Sequence, residues 1–332
     1  MLRRFLLRAG LLASVFSLFL LAAPGQQAGA AEKVLKAVVP WPLPFPLSEP
    51  MIWFKDRINE ELKGEVRIEY LGASEVVPAF EQFQALQDGV IDLILTATAY
   101  YKGSIPVARS GLYSNMSVAD RRKSGFYDLM RKIHMEKADI VYLAHVGGPV
   151  GGFRLYTKDE PKSPPDFTGM KFRGGGVYSP LISHYGGTTV LMKPSEAYAA
   201  LERGVVNGFG WATTGVVDRA FHEVAGYVID HPFASVDDPI LVRGEVWRSL
   251  TDKQRAVFER VGIEIEQKTE KVLTEAKMKE DAKLKELGMK FHKYSAAAAA
   301  EYVRVAHEAG WKDVIKDDPD LGPQFKKLGF KE

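Results

Sequence analysis

The sequence predicts an α/β protein built of two similar lobes, followed by a helical tail. Three observations carry this. Residues 34–95 show strand and helix signals in the order β-α-β-α-β, the pattern of a parallel sheet with covering helices. The pattern restarts near residue 138. Two segments echo each other: FEQFQALQDGVIDLIL (80–95) and PSEAYAALERGVVNGFG (194–210) each run from a helix through Leu-x-x-Gly to Val and then Asp or Asn.

Each element has a local reason. Val34 to Val39 reads as a strand. Pro40, Pro42, Pro44, Pro46 and Pro50 then deny the backbone regular structure and leave Trp41 and Phe45 on a loop. Ser48 is placed to start a helix through about Leu62. Val66 to Leu71 alternates as a strand, and Val77 to Gly89 carries apolar residues at helical spacing up to an Asp88-Gly89 stop. Val90 to Leu95 is a short, buried type of strand. In the second half, Ala138 to His145 and Gly152 to Tyr156 read as strands, and Lys162-Ser163-Pro164-Pro165 as a turn. Met170 to Phe172 forms a short strand leading to Arg173, Gly174, Gly175 and Gly176. Pro194 to Leu201 is a helix and Val205 to Trp211 a strand with its exit loop. Thr251 to about Leu287 is one long or broken helix, and Ser295 to Glu308 another, with charged positions that form solvated faces.

The first thirty residues stand apart. Arg3, Arg4 and Arg8 precede an apolar run from Leu11 to Ala23, and Ala28-Gly29-Ala30 supplies small residues. The run is shorter than the roughly 20 residues a membrane span needs. It reads as a secretory signal peptide cleaved near Ala30, which predicts a periplasmic location. Without those three arginines the formal net charge falls from +2 to about −1, so no basic excess remains for nucleic acid. The chain has no cysteine, which excludes thiol catalysis, zinc–thiolate sites and disulfides. There is no Gly-x-Ser-x-Gly and no His-Glu-x-x-His, and the seven histidines are scattered. An exported hydrolase is therefore disfavoured, with no catalytic residue, metal site or cofactor assigned.

FTGMKFRGGG and LMKPSEAYAALERGVVNGFGW, together with the helical tail, resemble the DctP-type substrate-binding proteins of TRAP (tripartite ATP-independent periplasmic) transporters. The matching residues are Gly169 to Arg173, then Pro194, Glu196, Tyr198, Ala200, Leu201, Gly204, Val206, Asn207 and Gly208. The resemblance runs along the whole chain after the leader. It implies a two-lobed periplasmic binding protein fold, with a ligand cleft between lobes and long C-terminal helices. On this reading lobe I is 31–151 plus about 239–278, and lobe II is 152–238 plus about 279–332. It implies a binding protein, not an enzyme, that captures a small organic acid as a monomer and hands it to a small and a large membrane subunit. A receptor that signals on binding the same ligand is the other class the fold serves.

The residues give this chemistry a place. Ligands of open α/β sheets bind beyond the carboxyl ends of strands. Arg173 is expected at such an end, where its planar guanidinium matches a carboxylate's two oxygens. The resemblance adds Arg154 as a second arginine on the preceding strand, and Asn207 within the motif. It also brings Trp41, Tyr100, Tyr101, Phe209 and Trp211 toward the cleft, as an aromatic wall that buries apolar ligand surface. Many relatives carry a proline where this chain has Gly175, and an amide or carboxylate where it has Phe209 and Trp211. A monocarboxylate with an apolar or aromatic body, such as an aromatic acid or a 2-oxo acid, is the expected ligand. A C4-dicarboxylate or sugar acid is the alternative, with Arg154 or Arg243 as the second charge partner.

Overall fold

The computed structural model describes residues 31–43, 45–148, 152–193 and 196–331. Residues 1–30, where the signal peptide is expected, and Pro44, Pro149 to Gly151, Pro194, Ser195 and Glu332 lie outside the described residues. From Glu32 onward the chain forms one unit. No described helix is long and apolar enough to cross a membrane.

Strand β1 (Lys33–Val38) leads through the proline loop to helix α1 (Glu49–Glu61), whose Met51, Phe54 and Ile58 recur at helical spacing and are buried. Next come β2 (Val66–Gly72), α2 (Gln82–Gln87) and β3 (Leu93–Leu95). These reproduce the expected β-α-β-α-β run. Two helices follow, α3 (Val118–Lys123) and α4 (Phe126–Ala138), before β4 (Ile140–Gly148). The second half begins with β5 (Phe153–Thr157), β6 (Lys171–Arg173), α5 (Ser179–His184) and β7 (Thr188–Val190). It continues through α6 (Ala197–Glu202), β8 (Gly208–Ala212) and β9 (Tyr227–Ile229). Then β10 (Val236–Arg243) and α7 (Gly244–Ser249) precede the long α8 (Asp252–Glu286). The chain ends with β11 (Lys290–His292), α9 (Ala296–Asp317) and α10 (Gly322–Gly329).

The strands form two sheets, one per lobe. The first has the order β2-β1-β3-β10-β4 and the second β11-β9-β5-β8-β6-β7. Within 34–95 the strands are parallel as expected, β1 to both β2 and β3; the later β10 lies antiparallel to β3 and β4 and makes the sheet mixed. The chain returns from the second sheet to insert β10 into the first. Its all-buried run could not be assigned to a neighbour by local pattern, because nothing local specifies a long-range pairing.

Helix α8 is unbroken. Thr251 and Gln254 form a reciprocal capping box at its start. Phe258, Val261 and Ile265 pack into the core of the first sheet, whereas Leu284 joins Ala197 and Phe209 in that of the second. A helix of 35 residues spans about 50 Å, enough to serve both lobes. Helix α9 packs on α5 and on the 3-10 segment Pro106–Tyr113, and α10 on that segment and on α4. The tail thus touches elements associated with both sheets.

Behind the first sheet lies a dry histidine. His134 is fully buried, its Nδ1 2.8 Å from the Met130 carbonyl and its Nε2 3.0 Å from the Tyr101 hydroxyl. Burial pushes its pKa down to about 4. The unfolded chain takes up this proton near pH 6.5, whereas the folded chain refuses it until about pH 4. Stability is expected to fall by up to about 3 kcal/mol as pH drops through that window. Urea midpoints measured across it should show the slope, and His134→Gln should flatten it.

Candidate ligand-binding site

A cavity of about 400 Å³ lies between the lobes, a size suited to a small organic molecule. Its walls come from residues at or just past the C-terminal ends of parallel-paired strands. Trp41 and Phe45 follow β1, and Ala97, Ala99 and Tyr100 follow β3. Arg173 ends β6, and Trp211 and Ala212 end β8. Strand ends leave backbone groups and side chains free of the ladder, so the sheet geometry itself gathers these residues in one place.

Arg173 is the centre of the site. Its Nη1 donates to the Gly210 carbonyl at 3.4 Å and its Nη2 to the Met192 carbonyl at 3.2 Å, while Nε is buried and has no partner. The guanidinium carbon stands 5.2 Å from the centre of the Trp211 ring. Arg219, which the sequence reading missed, stands 4.9 Å from that same ring and 5.7 Å from the Phe45 ring. Neither arginine forms an ion pair among the described residues. Burial lowers the Arg219 pKa from its ordinary value, and the nearby charge of Arg173 adds to this. Arg173 at the cavity wall, with Arg219 behind it on the same indole, makes this end of the cavity favourable for an anion.

The aromatic wall is built tightly. Trp211 is fixed by its Nε1, which donates to the Thr214 carbonyl at 3.1 Å, and by edge-on packing with Phe221. Trp41 Nε1 donates to the Tyr100 hydroxyl at 3.2 Å, which leaves that hydroxyl's own proton free to donate. Tyr178, also missed from the sequence, lies over bare backbone. A Cβ on Gly210 would come within 2.2 Å of its ring, and one on Gly174, at φ +155°, within 2.9 Å. Gly174 therefore admits an aromatic ring, and Gly174, Gly175 and Gly176 all line the cavity.

Four of the expected site residues meet here: Arg173, Trp211, Trp41 and Tyr100. Four others do not line the cavity. Arg154 is 1% exposed and is held by Asp281 and Asp230, each at 2.6 Å, so its charge is already matched by carboxylates. Phe209 is fully buried, stacked on Tyr156 and edge-on to Phe221, in the core of the second sheet. Asn207 staples two strands together, its Oδ1 accepting from the Lys171 N–H at 2.8 Å. Tyr101 turns into the first core, stacked on Phe83 and bonded to His134. Arg243, considered as a second charge partner, pairs instead with Asp92 and Glu245.

Asp238 completes the lining. It sits on β10, 4% exposed, and its Oδ2 is buried without a hydrogen-bond partner. Burial, and then the charge of Asp237 beside it, push its pKa well above the usual carboxylate range. Among the described residues no cluster of histidines and carboxylates is arranged to hold a metal ion.

Fold and site together define a two-lobed solute-binding protein of the periplasmic TRAP class. The sequence matches the family described as DctP, bacterial extracellular solute-binding protein, family 7, over residues 46–317, and the chain belongs to that family. Its members are transport proteins rather than enzymes. The chain is 23% identical over 276 residues to a solute-binding protein of Albidiferax ferrireducens, covering 78% of this chain and 79% of that protein. It is 26% identical over 218 residues to a monocarboxylate 2-oxoacid-binding periplasmic protein of Nostoc sp., covering 63% of this chain and 59% of the relative. Among solved structures, a TRAP periplasmic solute-binding protein of Desulfovibrio salexigens with bound orotic acid superposes with a TM-score of 0.79 at 18% identity, over 89% of this chain and 96% of that one.

Proposed function

We propose that this protein captures a small monocarboxylate with an apolar or aromatic body and delivers it to the membrane subunits of a TRAP transporter. One observation carries the reading: Arg173 lines the cavity against the Trp211 ring with no carboxylate partner among the described residues, Arg219 stands on that same ring, and apart from Lys102 and Asp238 the other lining side chains are aromatic or aliphatic. A ligand carboxylate supplies the missing negative charge, and enclosure strengthens the pair while making an empty closed site costly. The ligand body lies against Trp41, Tyr100, Tyr178 and Trp211. The relative described as binding 2-oxoacids and the structure holding orotic acid are consistent with such a ligand.

The protein acts in the periplasm after removal of residues 1–30. The lobes are divided as the sequence indicates, 31–151 with about 239–278 and 152–238 with about 279–332, and they close on the ligand. A C4-dicarboxylate is favoured by one feature, the exposed Lys102 at the cavity wall, which offers a further cation.

A thermal-shift screen tests the reading, because a ligand present at about 100 times its Kd stabilises the fold by about 2.7 kcal/mol. The panel is benzoate, phenylpyruvate, 4-methyl-2-oxopentanoate, succinate and glucuronate. The first three are expected to raise Tm most. Stabilisation by succinate alone would overturn the monocarboxylate assignment, and by glucuronate alone the assignment of an apolar or aromatic body. No shift with any acid, confirmed by calorimetry, would overturn the organic-acid reading.

A further inference from the structure

We propose that Asp238 is a specificity-determining residue whose carboxyl group donates a hydrogen bond to an uncharged oxygen on the ligand body, so that the preferred ligands are oxo- or hydroxy-acids. This rests on the acid-binding reading above and adds a second polar contact to it.

Side chains alternate along β10, which sends adjacent residues to opposite faces. Asp237 and Asp238 are neighbours with opposite surroundings. Asp237 takes the polar partners: Thr98 Oγ1 donates to it at 3.2 Å, His145 Nδ1 lies at 2.8 Å and Arg121 Nη1 at 3.7 Å. Asp238 faces the cavity, with Oδ2 enclosed and unpartnered. A buried carboxyl with no partner is a costly arrangement unless something else satisfies it.

The groups around Asp238 favour its neutral form. Asp237 on the same strand is an anion nearby. From the segment after β3, Tyr100 and Tyr101 bring hydroxyls within electrostatic reach of it, and Lys102 is at the cavity wall. The cations Arg173 and Arg219 act on the Tyr100 hydroxyl, as Asp238 does, but neither forms an ion pair with Asp238. Burial and Asp237 raise its pKa well above the usual range, so it keeps its proton where an isolated aspartate has lost it. A protonated carboxyl offers one O–H donor. A second ligand carboxylate would meet no cation on β10, whereas a ketone, hydroxyl or amide oxygen meets a donor.

The test is calorimetry at pH 6 on matched acids that differ by one oxygen: phenylpyruvate against 3-phenylpropanoate, 4-hydroxybenzoate against benzoate, and lactate against propanoate. Wild type is expected to prefer the oxygenated member of at least one pair by about tenfold. Asp238→Asn, which keeps a donor of the same shape, should retain that preference within about threefold and hold it as pH rises. Wild type should lose it as Asp238 ionises. Asp238→Leu should lose the preference yet still bind the plain acid, and melting curves of the ligand-free variants check that each is folded. The proposal is overturned if wild type shows no preference, if Asp238→Leu keeps it, or if Asp238→Asn abolishes it. It is also overturned if wild-type binding requires sodium or calcium, because the carboxylate would then be acting as an anion. Failure of every acid to bind wild type overturns the acid reading itself, and is thereby distinct from failure of the Asp238 assignment.

Discussion

Arg173→Ala is expected to abolish measurable ligand binding while leaving the fold intact. Truncating one partner of an enclosed charge pair costs about 2–5 kcal/mol or more, which is roughly thirtyfold to several-thousandfold in affinity. The fold should survive because Arg173 binds only two backbone carbonyls, of Gly210 and Met192, and no carboxylate depends on it. Arg173→Lys should rescue little, since a point charge cannot present two parallel donors. Arg219→Ala should cost less, about tenfold, because Arg219 adds field to an anion that Arg173 grips. Calorimetry with the strongest acid of the screen decides this. An affinity for Arg173→Ala within about threefold of wild type would remove Arg173 from the site.

Arg154→Ala is expected to do the reverse, lowering stability sharply while sparing affinity. Removing one member of a buried ion pair leaves uncompensated charge, at a cost of about 3–5 kcal/mol. Here two aspartates are stranded, Asp281 from α8 and Asp230 from the end of β9. The loss should sit near the lower figure, because Lys277 remains 2.8 Å from Asp281 and Lys293 lies 3.7 Å from Asp230. Denaturant midpoints should show it, and calorimetry below the transition should return near-normal affinity. The opposite pattern, normal stability with weakened binding, would restore Arg154 to the ligand site.

These two arginines show what can be read from a chain. Each was placed on or at the end of a strand from local signals, and each strand is where it was expected. What separates their roles is the presence of a counter-charge. The partners of Arg154 lie 76 and 127 residues along the chain, one of them on a helix that serves both lobes. No periodicity records that meeting. Asn207 and Phe209 moved from site to scaffold for a related reason: a residue near a strand end has two faces available, and the register of neighbouring strands chooses between them; Tyr101, in the 3-10 turn after β3, is drawn inward by Phe83 and His134.

Arg219 and Asp238 were illegible for different reasons. Arg219 falls among turns after β8, where no hydrophobic period frames a charge. Asp238 lies in Val-Asp-Asp-Pro, a run with turn residues, and becomes a cavity wall only because β10 pairs between β3 and β4. Tyr178 needed the bare backbone of Gly174, just past β6, and of Gly210 on β8 before its ring had a place.

By itself the sequence determined the class of fold, the β-α-β-α-β start, helix from Thr251 to about Leu287, the strand-end placement of Arg173 and Trp211, and the loop placement of Trp41. These follow from short-range patterning: alternation, helical spacing, prolines that stop a helix and glycines that open a turn. Only the tertiary structure decided which charges are spent on one another and which are left for a ligand. That outcome depends on distances between segments far apart in the chain, and electrostatic partners are set by those distances rather than by spacing along the sequence.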